Sequence, residues 1–156
     1  MINLKYLITI AITLILLLAG CSNIDEKQTI PPGKVIPTTD TISNTVDKLE
    51  IYHFHGTNQC YSCKTVGDYA EETVNTYFSD ELESGKIVFG HINAELPENQ
   101  ELAMKYGISS ASLWLGVYDN NGFHQEQNTH VWYKISNKEE YMNYLKGIIE
   151  QKLEGN

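Results

Sequence analysis

The feature of this chain that most constrains its fold is a pair of cysteines, Cys60 and Cys63, placed between a strand-like and a helix-like stretch of sequence. Residues 49–54 have the pattern of a strand. From about Cys60 to Glu83, apolar side chains recur at every third or fourth position, which is typical of a helix with one buried stripe. Both cysteines are therefore predicted to lie where that helix begins. Gly67 within it costs about 1 kcal/mol relative to alanine, so we expect it to mark a bend or a close contact.

The elements after the first helix follow from similar patterns. In order, they are predicted to be a strand at 86–92, a helix at 98–106, strands at 113–118 and 123–127, and a last helix that starts with the capping box of Ser136 and Glu139. The Asp-Asn-Asn-Gly turn at 119–122 joins the last two strands as a hairpin. The order β-α-β-α-β-β-α describes an α/β sandwich with a central mixed sheet and helices on both faces.

The N-terminus has the pattern of an export signal. Lys5 and the α-amino group give a short positive start, and residues 6–18 are almost entirely apolar. Such a run of about 13 residues is too short to span a bilayer comfortably, but it suits the core of a signal peptide. It leads into Leu-Ala-Gly-Cys, which resembles a bacterial lipoprotein signal, where cleavage precedes a diacylated cysteine. We predict removal of residues 1–20 and lipid on Cys21; an ordinary signal peptide with an incidental cysteine and an uncleaved anchor are the alternatives.

The segment that follows is polar and shows no apolar period. Residues 21–47 contain the predicted lipidated cysteine and then Pro31, Pro32 and Pro37 among serines and threonines, which is typical of a flexible linker. A linker of about 26 residues has an r.m.s. reach on the order of 30 Å, enough to hold a domain clear of lipid headgroups. Residues 48–156 remain for one domain with a modest core. The domain is thus expected on the cell membrane, outside the cytoplasm, in a periplasm or on the outer face.

The charge of the chain excludes one class of partner. Its formal net charge is −9, and all eleven basic residues are lysines. Nucleic-acid sites need a basic face and favour arginine, whose guanidinium binds phosphate through two hydrogen bonds. We therefore expect no nucleic-acid partner.

The position of the two cysteines predicts their chemistry. A cysteine at a helix N-terminus meets unpaired N–H groups and the positive end of the helix dipole, which stabilise a thiolate. Cys60 is therefore the predicted nucleophile. Cys63, one turn further on, is the predicted resolving thiol that attacks a mixed disulfide on Cys60. An inert disulfide is the structural alternative, although so short a loop gains little stability from closure.

A metal site is the chemical alternative. His53, His55, Cys60 and Cys63 place two imidazoles and two thiols within eleven residues, and two cysteines with two histidines are a known zinc set. A copper or zinc lipoprotein is therefore the second hypothesis. Against it, His53 is expected to lie too deep, and closed four-ligand sites separate their ligand pairs more widely. For His91, His124 and His130 the sequence indicates no partner, and they are expected to be surface or core residues.

The element order, with the cysteines between the first strand and the first long helix, resembles the thioredoxin superfamily over about residues 48–153. The resemblance is carried by Phe-His-Gly at 54–56, Cys-Tyr-Ser-Cys-Lys at 60–64 and Tyr-Gly-Ile at 106–108. Within the superfamily, the chain is similar at 53–56 and 81–88 to a small group known as nitrophenyl-compound nitroreductase subunits. The resemblance implies a thioredoxin-like domain at 48–156.

Three positions depart from the thioredoxin pattern. Gln59 precedes the first cysteine, where the superfamily usually has tryptophan. Ser-Ser-Ala-Ser at 109–112 stands where it has a cis-proline, and Ser112 is the nearest match. His53 falls near the place of the superfamily's buried acid, so the resemblance implies that a histidine moves the proton of the resolving thiol. His53, His55 and Ser112 are accordingly the predicted supporting residues.

Taken together, these features predict a lipid-anchored, extracytoplasmic thiol–disulfide oxidoreductase that needs no cofactor. Its partner is expected to be an extracytoplasmic thiol or disulfide protein, or a membrane reductant. A third hypothesis is an accessory subunit of the same fold whose two cysteines are vestigial or structural.

Overall fold

The computed structural model describes residues 45–155, so the predicted signal peptide, Cys21 and nearly all of the linker lie outside the described residues. The strands and helices are β1 (Val46–His55), α1 (Tyr61–Tyr77), α2 (Ser79–Glu83), β2 (Ile87–Asn93), α3 (Gln100–Tyr106), β3 (Ser112–Asp119), β4 (Gly122–Asn128) and α4 (Lys138–Leu153). Two short 3-10 turns, Pro97–Asn99 and His130–Tyr133, precede α3 and α4. Within 45–155, none of the helices combines the length and apolar character needed to cross a bilayer.

The strands form one mixed sheet in the order β2-β1-β3-β4. β1 pairs parallel with β2, and the connection between them contains α1 and α2. β1 also pairs antiparallel with β3, which forms a hairpin with β4. Because β1 is central, its alternate residues face opposite layers: α1 and α4 cover one face, and α3 covers the other. This arrangement confirms the predicted α/β thioredoxin-like class.

The face toward α1 and α4 carries the main core. Leu49 and Ile51 of β1 point into it and are fully buried. Their partners in the core are Val66, Ala70, Val74, Phe78, Ile87, Leu113, Leu115, Val131, Tyr141, Leu145 and Ile149. Burying one such aliphatic side chain contributes roughly 1.5–3 kcal/mol. The Tyr141 hydroxyl, deep in this layer, donates to the Val66 carbonyl at 2.7 Å, so α4 is joined to α1 by a hydrogen bond as well as by packing.

The opposite face contains a buried carboxylate, Glu50, which we call with its partners the Glu50 cluster. Glu50 is 6% exposed and accepts hydrogen bonds from Lys48 at 2.8 Å, Tyr106 at 2.8 Å and Tyr118 at 2.9 Å. Lys105 lies 3.4 Å away. Burial raises the pKa of the Glu50 carboxyl, but these hydrogen bonds and the Lys105 charge outweigh burial and hold the pKa below its usual value. The cluster therefore fastens α3 and β3 to β1.

The first long helix is shorter than predicted. In place of one helix from Cys60 to Glu83, α1 ends at Tyr77 and α2 begins at Ser79. Phe78 between them leaves helical geometry, with φ −134° and ψ 35°, and its ring is 4% exposed in the main core. The break therefore lets an apolar ring turn inward, which a pattern of apolar spacing alone does not distinguish from a continuing helix.

The cap of the last helix also differs from the prediction. The predicted capping box was Ser136 with Glu139, whereas the capping residue of α4 is Asn137. Its side-chain oxygen accepts a hydrogen bond from the Glu140 backbone N–H at 3.2 Å. Asparagine and serine are both favoured as the first capping residue of a helix. The sequence alone therefore does not decide between Ser136 and Asn137, and the path of the preceding loop does.

Candidate functional site

The two cysteines lie at the start of α1, where they form a disulfide with their Cα atoms 5.0 Å apart. Cys60 is the N-cap residue, with extended backbone geometry (φ −74°, ψ 165°), and it is exposed. Cys63 lies in the first turn and is half-buried. The Cys63 backbone N–H donates to the Cys60 sulfur at 3.1 Å. The two sulfurs thus differ in access, with Cys60 outermost.

This geometry favours a negative charge on Cys60. The first amides of a helix have no partner within the helix, and one of them already points at the Cys60 sulfur. The first turn of α1 contains no acidic residue that would oppose a thiolate there. A thiolate is the reactive form in disulfide exchange. The arrangement can therefore support attack by Cys60, the role predicted for it, with Cys63 in reach to follow.

The loop before Cys60 is held by the segment that follows β2. The Thr57 backbone N–H donates to the Glu95 carboxylate at 2.9 Å, and the Asn93 amide donates to the Thr57 hydroxyl at 3.1 Å. The hydrogen bonds from Thr57, helped by His55, hold the pKa of the exposed Glu95 carboxyl below its usual value. These contacts fix the approach of the chain from β1 to the dithiol.

His53 lies beneath the first turns of α1 and is fully buried. A Cβ on Gly67, one helical turn after Cys63, would overlap the His53 ring, so the close contact predicted for Gly67 is this one. Burial lowers the pKa of His53 to about 4, and His91 and His55 act in the same direction, while the backbone of Cys63 opposes them. His53 is therefore neutral near pH 7.

His91, for which the sequence indicated no partner, is paired with His53. Their Nδ1 atoms are 3.1 Å apart, and Nε2 of His91 lies 3.3 Å from the Glu71 carboxylate. The parallel register of β1 and β2 places His53 directly beside His91. Glu71, one turn beyond Gly67 on α1, thus joins α1 to the two histidines. The sequence held one indication of this contact: each of the first two predicted strands carries a histidine, His53 and His91.

His55 lies on the same strand face as His53, with ring centroids 5.4 Å apart. Its Nδ1 is 2.9 Å from the Gly56 carbonyl oxygen, to which it donates. The ring lines a cleft of about 240 Å³. The other lining residues are Gly56, Ala94, Glu95, Ile108, Ser109, Ser110 and Ala111. The structure thus brings His55 to an open cleft and His53 to a closed interior.

Ser112 opens β3 and is buried, with its side chain on the α3 face because it pairs with Phe54. Its hydroxyl donates to the Ser110 carbonyl at 3.0 Å and accepts from the Trp114 indole at 2.7 Å. His53 and His55 lie on the other face, so the residues of this segment that reach the cleft are those before Ser112. Among residues 45–155, no peptide bond is cis. A supporting role for Ser112 stays a prediction.

The proposed metal ligands are not gathered into one site. Across the described part of the chain, no group of three or more His, Cys, Asp or Glu side chains is arranged so that it could hold a metal ion. The buried His53 ring directs its Nδ1 toward His91, and the two thiols are joined to each other.

Comparison with known proteins finds similarity only at the level of three-dimensional structure. No family model matches the sequence, and no curated protein matches it. Among solved structures, the fold is similar to the crystal structure of the Trx4 domain of ERdj5, with 16% identity, 73% of this chain and 87% of that chain covered, and a TM-score of 0.49. It is also similar to the first two thioredoxin domains of Naumovozyma dairenensis Eps1p, with 20% identity, 63% and 35% covered, and a TM-score of 0.37. The fold assignment rests on the strand order and the placement of the helices.

Proposed function

We propose that this chain is a thiol–disulfide oxidoreductase that works through Cys60 and Cys63. The observation that carries the proposal is the exposed sulfur of Cys60 at the N-cap of α1, with the Cys63 N–H directed at it. A sulfur held there favours the thiolate and leaves one side open to a second protein. The cleft beside His55 lies next to the loop that leads to Cys60, so a bound partner has backbone and side chains to contact.

The reaction follows from this placement. In the reductive direction, the Cys60 thiolate attacks a partner disulfide, forms a mixed disulfide and releases one partner thiolate. The Cys63 sulfur then attacks Cys60, forms the disulfide seen in the structure and releases the second partner thiolate. Two electrons pass from the dithiol to the partner, and both partner sulfurs become thiols after taking up protons. The same steps in reverse oxidise a partner dithiol.

The proposal includes an anchor and a location. The Leu-Ala-Gly-Cys sequence at 18–21 supports a lipid on Cys21, and a chain with that modification would act outside the cytoplasm. Its partners there would be exported thiol or disulfide proteins, or a membrane reductant. The similarity to nitrophenyl-compound nitroreductase subunits adds no separate chemistry to this proposal.

We expect the mature protein to start at Cys21 and to carry lipid. The intact mass of protein purified from bacterial membranes should equal that of residues 21–156 plus the acyl groups, and the protein should partition into detergent. A Cys21→Ser control should lose the added acyl mass and keep residues 1–20, because cleavage at this kind of signal requires the acylated cysteine. Retention of residues 1–20, or a mature chain without added lipid, would overturn the anchor.

We expect the reduced mature protein to reduce a small disulfide or insulin, and its two cysteines to equilibrate reversibly with a glutathione buffer. The ratio of dithiol to disulfide across that buffer gives the reduction potential, which decides whether the protein serves as a reductant or an oxidant. Metal content after dialysis is measured on the same sample. Stoichiometric zinc or copper that is lost in Cys60→Ser would replace the redox proposal by the metal one. If the protein shows neither disulfide exchange nor bound metal, the accessory-subunit hypothesis replaces both.

A further inference from the structure

We propose that Glu95 makes the cleft beside the dithiol selective for partner proteins that carry a lysine or arginine two or three residues from their reactive cysteine. This inference rests on the proposed oxidoreductase function and adds to it the class of substrate. Three features of Glu95 support it: its carboxylate is held in place, it lies at the cleft near Cys60, and it has no cation of its own.

The Glu95 carboxylate rests on the backbone of the loop that leads to Cys60. Its Oε2 atom accepts a hydrogen bond from the Thr57 backbone N–H at 2.9 Å. Its Oε1 atom lies over Gly56, only 2.7 Å from the position that a Cβ there would take. The absence of a side chain at position 56 therefore provides the space that the carboxylate occupies.

The backbone around Glu95 is also held in place. The Ala94 N–H donates to the His55 carbonyl oxygen at 2.8 Å, at the end of the pairing between β1 and β2. The Asn93 side-chain oxygen accepts from the Glu95 N–H at 3.0 Å, and its amide nitrogen donates to the Thr57 hydroxyl at 3.1 Å. Both ends of the Glu95 side chain are thus fixed, so a cation that binds it costs little conformational freedom.

The carboxylate is charged and free to accept a cation. Hydrogen bonds from Thr57, helped by His55, hold the pKa of the Glu95 carboxyl below its usual value, so it is ionised near pH 7. No lysine or histidine among residues 45–155 forms a salt bridge with it. An ionised carboxylate has about four acceptor positions. Because Glu95 is exposed, acceptor positions remain open to a partner.

The cleft has no other full charge of fixed sign. Glu95 is the one carboxylate among the residues that line it, and no lysine lines it. The remaining lining residues are His55 and small or aliphatic side chains, several of them serine, alanine or glycine. A partner segment in this cleft therefore meets a single negative charge, which attracts a cation and repels an acid.

The distance from Glu95 to the dithiol sets where the partner's cation must be. Thr57, which binds the carboxylate, precedes Cys60 by three residues, and three residues span at most about 11 Å. Cα atoms joined through a disulfide are about 5.5–6 Å apart. A residue two or three positions from the partner cysteine lies about 7–10 Å further along an extended segment. A lysine or arginine there has the side-chain length to bring its charge to Glu95.

The rest of the chain provides a matched control for this charge. The formal net charge of −9 attracts any cationic partner, so the local effect of Glu95 must be separated from the overall charge. Glu98 is also exposed and only three residues away, but it does not line the cleft. It lines a separate surface hollow with Glu101, Leu102 and Lys105.

The test uses two peptides that differ in the charge of their flanking residues. Each has one cysteine activated as a 2-pyridyl disulfide, with lysine or with glutamate two residues to either side. The Cys60 thiolate of the reduced protein attacks the peptide sulfur and forms a mixed disulfide. The bond to the pyridyl sulfur breaks, its electron pair leaves with that sulfur, and the 2-thiopyridone formed on protonation is measured by absorbance in stopped flow.

The lysine peptide should react about 5- to 10-fold faster than the glutamate peptide at low ionic strength, which is the size of effect that exposed charges give through attraction and repulsion. In about 1 M salt, where the Debye length is about 3 Å, the ratio of the two rates should approach one. Lys64, the nearest lysine along the chain, is the same in every variant, so its contribution cancels when the ratios are compared.

Glu95→Gln should lower the ratio to about 2-fold, the part that the overall charge supplies. Its amide oxygen still accepts from the Thr57 N–H, so the loop is kept. Glu98→Gln removes the same charge and should leave the ratio close to that of wild type, while Glu95→Lys should invert the preference. Equal ratios in Glu95→Gln and Glu98→Gln would overturn the inference. Failure of the reduced wild type to release thiopyridone from either peptide would instead overturn the proposed function.

Discussion

Cys60→Ser is expected to abolish disulfide exchange, whereas Cys63→Ser is expected to stop the reaction halfway. Without the exposed sulfur at the helix N-cap, no group in the dithiol can open a partner disulfide, because Cys63 is half-buried and its backbone N–H faces outward to Cys60. Without Cys63, the mixed disulfide on Cys60 forms but is not resolved. Membranes containing Cys63→Ser should therefore yield covalent adducts on non-reducing gels that disappear with reductant.

The controls for this pair are close to the wild-type shape, since serine replaces only a sulfur atom by oxygen. The double variant Cys60→Ser/Cys63→Ser should give no adducts, which identifies Cys60 as the attachment point. Adducts on Cys60→Ser that are absent from Cys63→Ser would mean that the two cysteines have exchanged roles. No reducible adducts from either variant would count against exchange as the function.

Gly67→Ala should destabilise the domain, although alanine is the better helix former. A Cβ at this position would overlap the buried His53 ring, which β1, His55 and His91 hold in place. Forcing one extra carbon into a packed interior costs about 1–3 kcal/mol. In the same chain, Gly147 in α4 has open space where its Cβ would be, so Gly147→Ala should stabilise by roughly 0.5–1 kcal/mol.

The two glycines are matched, because both lie inside long helices and differ in what faces them. Urea unfolding of the mature protein and of each variant measures the free energies, and equal slopes against denaturant would show that the unfolded states are comparable. If Gly67→Ala proves as stabilising as Gly147→Ala, the His53 ring does not lie against α1. A loss at both positions would point to a general intolerance of side chains on these helices.

The element order and the place of the dithiol were predictable because they depend on local patterns. Apolar spacing defined α1 and α4, the Asp-Asn-Asn-Gly turn defined the hairpin, and the two cysteines fell where a strand pattern gave way to a helix pattern. The contact made by Gly67 was also anticipated, because glycine is unfavourable in a helix unless something approaches closely. Its partner, His53, was not.

The missed features depend on contacts between residues far apart in the chain. His53 and His91 are 38 residues apart and meet only because β1 and β2 pair in parallel at that register. Ser112 was matched to the cis-proline position by its order along the chain. That order does not say on which face of the sheet the Ser112 side chain lies. Glu50 alternates with apolar residues in β1, which is the usual pattern of a strand with one face in solvent. In the structure α3 covers that face, and Tyr106 of α3 donates a hydrogen bond to Glu50.

The Glu50 cluster lies in the half of β1 away from the dithiol, since Glu50 precedes His55 by five residues, or about 16 Å of strand. The proposed redox chemistry therefore lies beyond the C-terminal end of β1, and the contacts that hold α3 and β3 lie in the other half of the strand. Substitutions on the surface around Cys60 can therefore change the contacts with a partner without touching the joint that keeps α3 and β3 on the sheet.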